Sequence, residues 1–221
     1  MTKGLDISVY QTGVSFNLMK EKNIDFLILR GGYTSNGAIR RQRVDSEFAH
    51  FYDKTNKYKI PRGAYYYSCA TNYDEGKAEA IFFYNECLRG RVFEYPVYMD
   101  IEDNYIINAG RRNATDAVRG FCEYLESRNY YVGIYTGYYI YMNNLIPEEL
   151  ARYTLWGAWW KNGAPPKKLS DLPNFHMWQY SGGGVQIGSF GVDGDKCFVD
   201  FPGIIVPAGM NGWKEARQNG K

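Results

Sequence analysis

The stretch PVYMDIED, residues 96–103, sets three carboxylates, Asp100, Glu102 and Asp103, at the end of an apolar run. In an extended strand, residues i and i+2 face the same side, so Asp100 and Glu102 project together while Met99 and Ile101 face the opposite layer. Their Cα atoms are then about 6.5–7 Å apart, and both carboxyls can bracket one reacting bond. Like charge at that range raises one pKa towards that of a usable general acid, which is the arrangement glycosidic cleavage needs. Asp6 ends the apolar run of GLDIS in the same way, and Asp193 in FGVDGDK follows another. Taken singly, each acid reads equally well as a helix cap, a turn former or half of an ion pair. Their conjunction at strand ends is what points to one acidic site.

Such a site needs elements to hold it, and the chain alternates them. LDISVY, DFLILRGGY, RGAYYYS, PVYMDIE and YVGIYTG read as strands. SFNLMKEKNI, DSEFAHFYDKTNKYKI, DEGKAEAIFFYNECLRG and NATDAVRGFCEYLESRN read as helices between them, the last with Asn113 or Thr115 near its cap. Repeated strand–helix units argue for a parallel sheet closed as a (β/α) barrel, and in such barrels the reacting groups sit at the C-terminal strand ends. After Tyr135 the helices thin out. TLWGAWW, FHMWQYS and CFVDFPG look like strands joined by Gly- and Pro-rich loops, and the triple glycine 182–184 reads as a hairpin tip. The expected fold is therefore α/β, an irregular, flattened barrel of TIM-like type with an incomplete set of helices. Residues 1–206 form the catalytic domain, and 207–221, which lose periodicity, form a tail or the start of a linker.

The 26 Lys and Arg against 24 Asp and Glu give a net charge of +2, scattered rather than blocked, which offers no reason to expect a nucleic-acid partner. Aromatic residues make up 17% of the chain, with 21 Tyr, 12 Phe and 5 Trp, more than a core alone requires and well suited to sugar rings. Tyr33, Tyr66, Tyr135 and Trp178 are the candidate sugar contacts, whereas Tyr65 and Tyr67 read as core. The four cysteines lack C-x-x-C spacing and read as structural thiols. The N-terminal stretch has no apolar core of signal-peptide type, and no segment approaches the ~20 apolar residues of a membrane span, so the chain is expected to be soluble. His50 and His176 belong to no two-histidine motif, so no metal or other cofactor is expected, His50 serving a helix surface or cap.

The ordered set GLDIS, GAYYYS, YMDIED, GIYTG, LWGAWW, WQYS and GVDGD resembles the glycoside hydrolase family 25 lysozymes, many of them phage endolysins, over about residues 4–203. The resemblance implies a flattened barrel and cleavage of the β-1,4 bond between N-acetylmuramic acid and N-acetylglucosamine in bacterial peptidoglycan. Glu102 matches the family's general acid, Asp100 its partner carboxylate and Asp6 its N-terminal site aspartate. Val192-Asp193 meets the late V-D of the family, with Asp195 and Asp200 within a register slip and expected to serve the surrounding turn and strand. Gly157 and Trp159 depart from the family's middle motif. The resemblance further implies synthesis in the host cytoplasm and action on the wall after release. A chitinase-like barrel would need D-x-D-x-E, and Tyr98 stands at its first acid. The rival from another class is a catalytically silent module that binds wall glycan through its aromatics. Retention of both Asp100 and Glu102 argues against it.

Overall fold

The computed structural model describes residues 1–37, 39–218 and 220. Among them one sheet runs through β1 (Thr2–Ile7), β2 (Phe26–Thr34), β3 (Gln42–Val44), β4 (Arg62–Tyr67), β5 (Val97–Asp100), β6 (Val132–Gly137), β7 (Thr154–Ala158), β8 (Phe175–Ile187) and β9 (Phe190–Cys197). Its order is β1-β9-β8-β7-β6-β5-β4-β2, and β1 also pairs with β2, so eight strands close into a barrel with β3 attached to β2 as a flap. The pairings are parallel from β1–β2 through β7–β8, while β9 runs antiparallel to both of its neighbours. The second half of the barrel thus closes through an antiparallel strand, β9.

The helices follow the strands: α1 (Phe16–Glu21), α2 (Phe48–Tyr58), α3 (Tyr73–Phe83), α4 (Asn104–Asn108), α5 (Arg111–Ser127), α6 (Tyr138–Asn144), α7 (Pro147–Leu150), α8 (Lys167–Ser170), α9 (Phe201–Ala208) and α10 (Trp213–Gln218). Only α2, α3 and α5 exceed ten residues, and all three serve the first half of the barrel, which leaves its outer layer incomplete. Helices α3 and α5 pack backbone to backbone. A Cβ on Gly76 would meet the Ala117 carbonyl and one on Gly120 the Tyr73 carbonyl, so both positions require glycine.

Strand alternation divides the apolar residues into two cores. Leu5, Leu27, Leu29, Val97, Met99, Ile134 and Leu155 point outward under the helices. Phe26, Ile28, Tyr98, Tyr135, Trp156 and Met177 fill the barrel interior, plugged from below by Tyr95, Phe201 and Ile205. The interior turns polar towards the C-terminal strand ends, where Asp6, Asp100, Gln179 and Asp195 are all buried. The four cysteines are buried and unpaired. Among the described residues no helix is long and apolar enough to cross a membrane.

Four local expectations differ from the structure. Helix α5 begins at Arg111, so Thr115 lies inside it and donates to the Arg111 carbonyl rather than capping. The end of CFVDFPG is helical: Asp200 accepts from the Gly203 amide as N-cap of α9, and Pro202 sits in the first turn. Glycines 182–184 lie within β8, at a register shift between Ser181 and Val185, and the hairpin turns at Gly188 and Ser189. Residues 209–218 are docked rather than linker-like. Asn211 is fully buried at φ 51, its Oδ1 accepts from the Tyr131 amide at 2.7 Å, its Nδ2 donates to the Tyr95 carbonyl at 2.9 Å, and Trp213 Nε1 donates to the Phe93 carbonyl.

Candidate active site

At the C-terminal ends of the parallel strands a cleft of about 500 Å³ collects Asp6 from β1, Asp100 and Glu102 from the end of β5, and Asp193 from β9. Asp6 and Asp193 are directly opposed across the β1–β9 pairing. Strand β5 ends at Asp100, yet the Ile101 amide still donates to the Tyr135 carbonyl at 2.9 Å, which carries the alternation one step further. Met99 and Ile101 are accordingly buried in the outer core while Asp100 and Glu102 face the cleft. Asp103 is turned to another task. It caps α4 by accepting from the Tyr105 amide and receives the Tyr67 hydroxyl at 2.8 Å.

The two central carboxyls have different environments. Asp100 is 4% exposed, and its Oδ1 has no hydrogen-bond partner among the described residues. Burial holds its pKa well above the ordinary carboxylate range, and Glu102 and Asp6 push the same way, against Arg30. Glu102 is open to the cleft, and its pKa is raised by the desolvating walls and then by Asp193 and Asp103. Asp193 is half-buried and its pKa is raised by desolvation, opposed by the Gly183 amide, which donates to its carboxylate. The glycine-rich bulge of β8 thus delivers a backbone N–H to the cleft. Asp6 is pushed up to about 8 by burial and by Asp193.

Around Asp6 a fixed network closes the floor. Gln179 Nε2 donates to Asp6 Oδ2 at 2.9 Å, and both the Tyr135 hydroxyl and Trp160 Nε1 donate to Gln179 Oε1, which orients the amide. Asp195 is fully buried and accepts from Trp156 Nε1 at 2.8 Å, its Oδ2 has no hydrogen-bond partner among the described residues, and burial beside Asp6 pushes its pKa well up. It belongs to this interior cluster rather than to a turn. Asp200, by contrast, caps α9 away from the cleft.

The sequence-predicted aromatics divide by face. Tyr33 lines the cleft with the Arg30 guanidinium 5.3 Å above its ring. Tyr135 is buried and reaches the site through Gln179. Tyr66 and Trp178 are fully buried in the outer core, where Tyr66 bonds Thr34 and Trp178 Nε1 donates to the Trp159 carbonyl, so neither touches the cleft. Tyr65 and Tyr67, which read as core, are the residues of β4 that line it. Arg30 was also missed, though one arginine inside FLILRGGY is a signal in itself. Its Nε donates to Asp45 at 2.7 Å, and it is the cation nearest the acids that the cleft contains. His50 is exposed on α2, and His176 Nδ1 pairs with the Thr154 hydroxyl at 2.9 Å. Among the described residues no three His, Cys, Asp or Glu side chains are grouped to hold a metal ion.

The raised carboxyls make a pH prediction. Asp6 keeps its proton in the folded chain up to pH about 8 but releases it near 3.8 when unfolded. The stability it contributes is complete below the unfolded value and is lost as pH rises through the folded one. His176, lowered by burial, acts in the opposite sense only below its usual 6.5. Between pH 6.5 and 8 the Tm is therefore expected to fall, and Asp6→Asn to make that slope shallower in a differential scanning measurement. Identical slopes in the two proteins would show that Asp6 is ionised throughout.

An eight-stranded barrel with acids of unequal environment at its C-terminal mouth is the framework of a barrel glycoside hydrolase. The chain belongs to glycosyl hydrolases family 25, whose model matches residues 5–189. Its fold is that of the CTP1L endolysin, with a TM-score of 0.75 at 21% identity over 91% of this chain and 68% of that one. It is equally that of a lysozyme from Streptomyces coelicolor, with a TM-score of 0.73 at 22% identity over 89% and 91% of the two chains. The modular autolysin LytC from Streptococcus pneumoniae, solved with a synthetic peptidoglycan ligand, gives 0.71 at 20% identity over 88% of this chain, which spans only 46% of LytC. No curated protein matches the chain.

Proposed function

We propose that the chain is a peptidoglycan hydrolase, an N-acetylmuramidase that cleaves the β-1,4 bond between N-acetylmuramic acid and N-acetylglucosamine in bacterial cell walls. The observation that carries this reading is the pairing of a cleft-exposed Glu102 with a buried Asp100 whose Oδ1 has no partner. Family membership and the endolysin, lysozyme and autolysin neighbours point to the same substrate.

In this scheme Glu102, whose protonated form is favoured by the desolvating walls and by Asp193, gives its proton to the glycosidic oxygen as the C1–O bond breaks. The carbonyl oxygen of the substrate's 2-acetamido group bonds to C1, and its N–H proton passes to Asp100. Asp100 takes it in its carboxylate form, its Oδ1 having no other hydrogen-bond partner among the described residues. Water then attacks C1 from the face the leaving group vacated and gives a proton to Glu102, while the C1–O bond of the oxazoline breaks and Asp100 returns its proton to the acetamide nitrogen, which restores both carboxyls with net retention. Asp6, fixed by Gln179, and Asp193, fixed by the Gly183 amide, shape the field at the reacting carbon. Tyr33, Tyr65 and Tyr67 offer ring faces and hydroxyls to the glycan.

The test is release of soluble dye from dyed bacterial walls with excess EDTA present. Steady release is expected, because every step uses carboxyls of the chain itself. Binding to the walls without release would instead identify a silent glycan-binding module, and release only after a divalent ion is restored would overturn the metal-free scheme.

A further inference from the structure

The opposite end of the barrel holds a second cavity, also of about 500 Å³, between α2, the segments leading into β4, β5 and β6, and α10. Arg62, Arg89, Arg91 and Arg128 line it, and Glu215 is the carboxylate among its lining residues. Arg62 is balanced by Glu94 at 3.6 Å and donates to Asn56 and Thr55. Among the described residues Arg89, Arg91 and Arg128 form no ion pair. Gathering like charges without matching acids is unfavourable unless an anion joins them.

Two of these guanidinium groups are held by their faces. Arg91 lies 5.4 Å from the Phe48 ring centre and 5.5 Å from that of Tyr52, with Nη1 donating to the Cys87 carbonyl at 2.9 Å. Arg128 lies 5.4 Å from the ring of Tyr84 and 5.2 Å from that of Tyr124. Stacking fixes the plane of a guanidinium and leaves N–H edges for bidentate bonds to phosphate oxygens. An independent sign comes from Arg62, which is 5% exposed. Its Nε is the one buried side-chain nitrogen without a hydrogen-bond partner among the described residues. An unpaired buried N–H is costly, and Arg62 is one of the residues that line the cavity.

We propose that this cavity binds a phosphate ester of a polyol or sugar, the phosphate between the guanidinium edges and the carbon body against Tyr84, Tyr130 and Trp213. Its volume is that of a small-molecule pocket rather than of an ion site. The cavity is independent of the acid cleft, so its occupation leaves the hydrolytic step untouched.

Titration calorimetry of the full chain with glycerol phosphate, poly(glycerol phosphate), inorganic phosphate and neutral glycerol tests it. Saturable binding of glycerol phosphate is expected. The exposed pair Arg89→Gln with Arg128→Gln should weaken it about tenfold or more with Tm unchanged, while Glu215→Gln strengthens it. Wall-dye release by the double variant should match the parent. Stronger binding of the polymer than of the monomer, lost in the double variant, assigns the ester to a polymeric source, and equal binding to a free metabolite. Absence of saturable binding, or equal affinity in the double variant, overturns the site. Inorganic phosphate binding as tightly as the ester overturns the role of the aromatic wall.

Discussion

Glu102→Gln is expected to lower kcat by ~10²-fold or more while leaving glycan binding nearly unchanged. The amide keeps the shape of the side chain but has no proton to give to the leaving oxygen. Glu102 opens onto the cleft, so the substitution disturbs no buried contact. The loss should therefore appear in turnover of soluble wall fragments, with the unfolding temperature and the affinity for an uncleaved glycan held. Parent-like turnover in a folded Glu102→Gln protein would remove Glu102 from the acid's role and leave Asp193, its neighbour across the cleft, to be tested next.

The second large effect falls on Asp100. Asp100→Asn keeps a hydrogen-bonding group in a site that admits little water, but the amide cannot take the acetamide proton or offset the charge that grows at C1. A loss of at least ~10²-fold in kcat is expected, comparable to removing one electrostatic contact to a developing charge. This variant also separates two chemistries. A carboxylate that only assists the acetamide leaves no sugar ester on the enzyme, so a fluorinated substrate should give retained configuration and no adduct by intact-protein mass spectrometry. A stable adduct on Asp100 would make it the nucleophile, and inversion would exclude both routes.

How much of this was legible in the chain depends on how far local patterns identify a face. On β5 the alternation is written in chemistry, because Met99 and Ile101 are apolar and Asp100 and Glu102 are acids, and the structure keeps that parity. On β4 three consecutive tyrosines give the two faces the same letter. Only the barrel decides that Tyr66 packs under α3 and α5 against Phe83 and Phe121 while Tyr65 and Tyr67 look into the cleft. In WQYS the large aromatic attracts notice, yet Trp178 is outward and the amide of Gln179 reaches Asp6. Asp195 sits between Gly194 and Lys196, which locally resembles a turn, and its burial follows from pairing opposite Gly4 on β1. The docked tail was hidden for a related reason. Asn211 satisfies amides and carbonyls of Tyr131 and Tyr95, partners that adjoin it only after the barrel closes.

The central claim is the identity of the bond that is cut, and the sugar left at the new reducing end reports it. Purified peptidoglycan digested by the chain, reduced with borohydride and resolved by mass spectrometry is expected to yield muropeptides that end in reduced N-acetylmuramic acid. Fragments ending in reduced N-acetylglucosamine, or peptides freed from intact glycan, would contradict it.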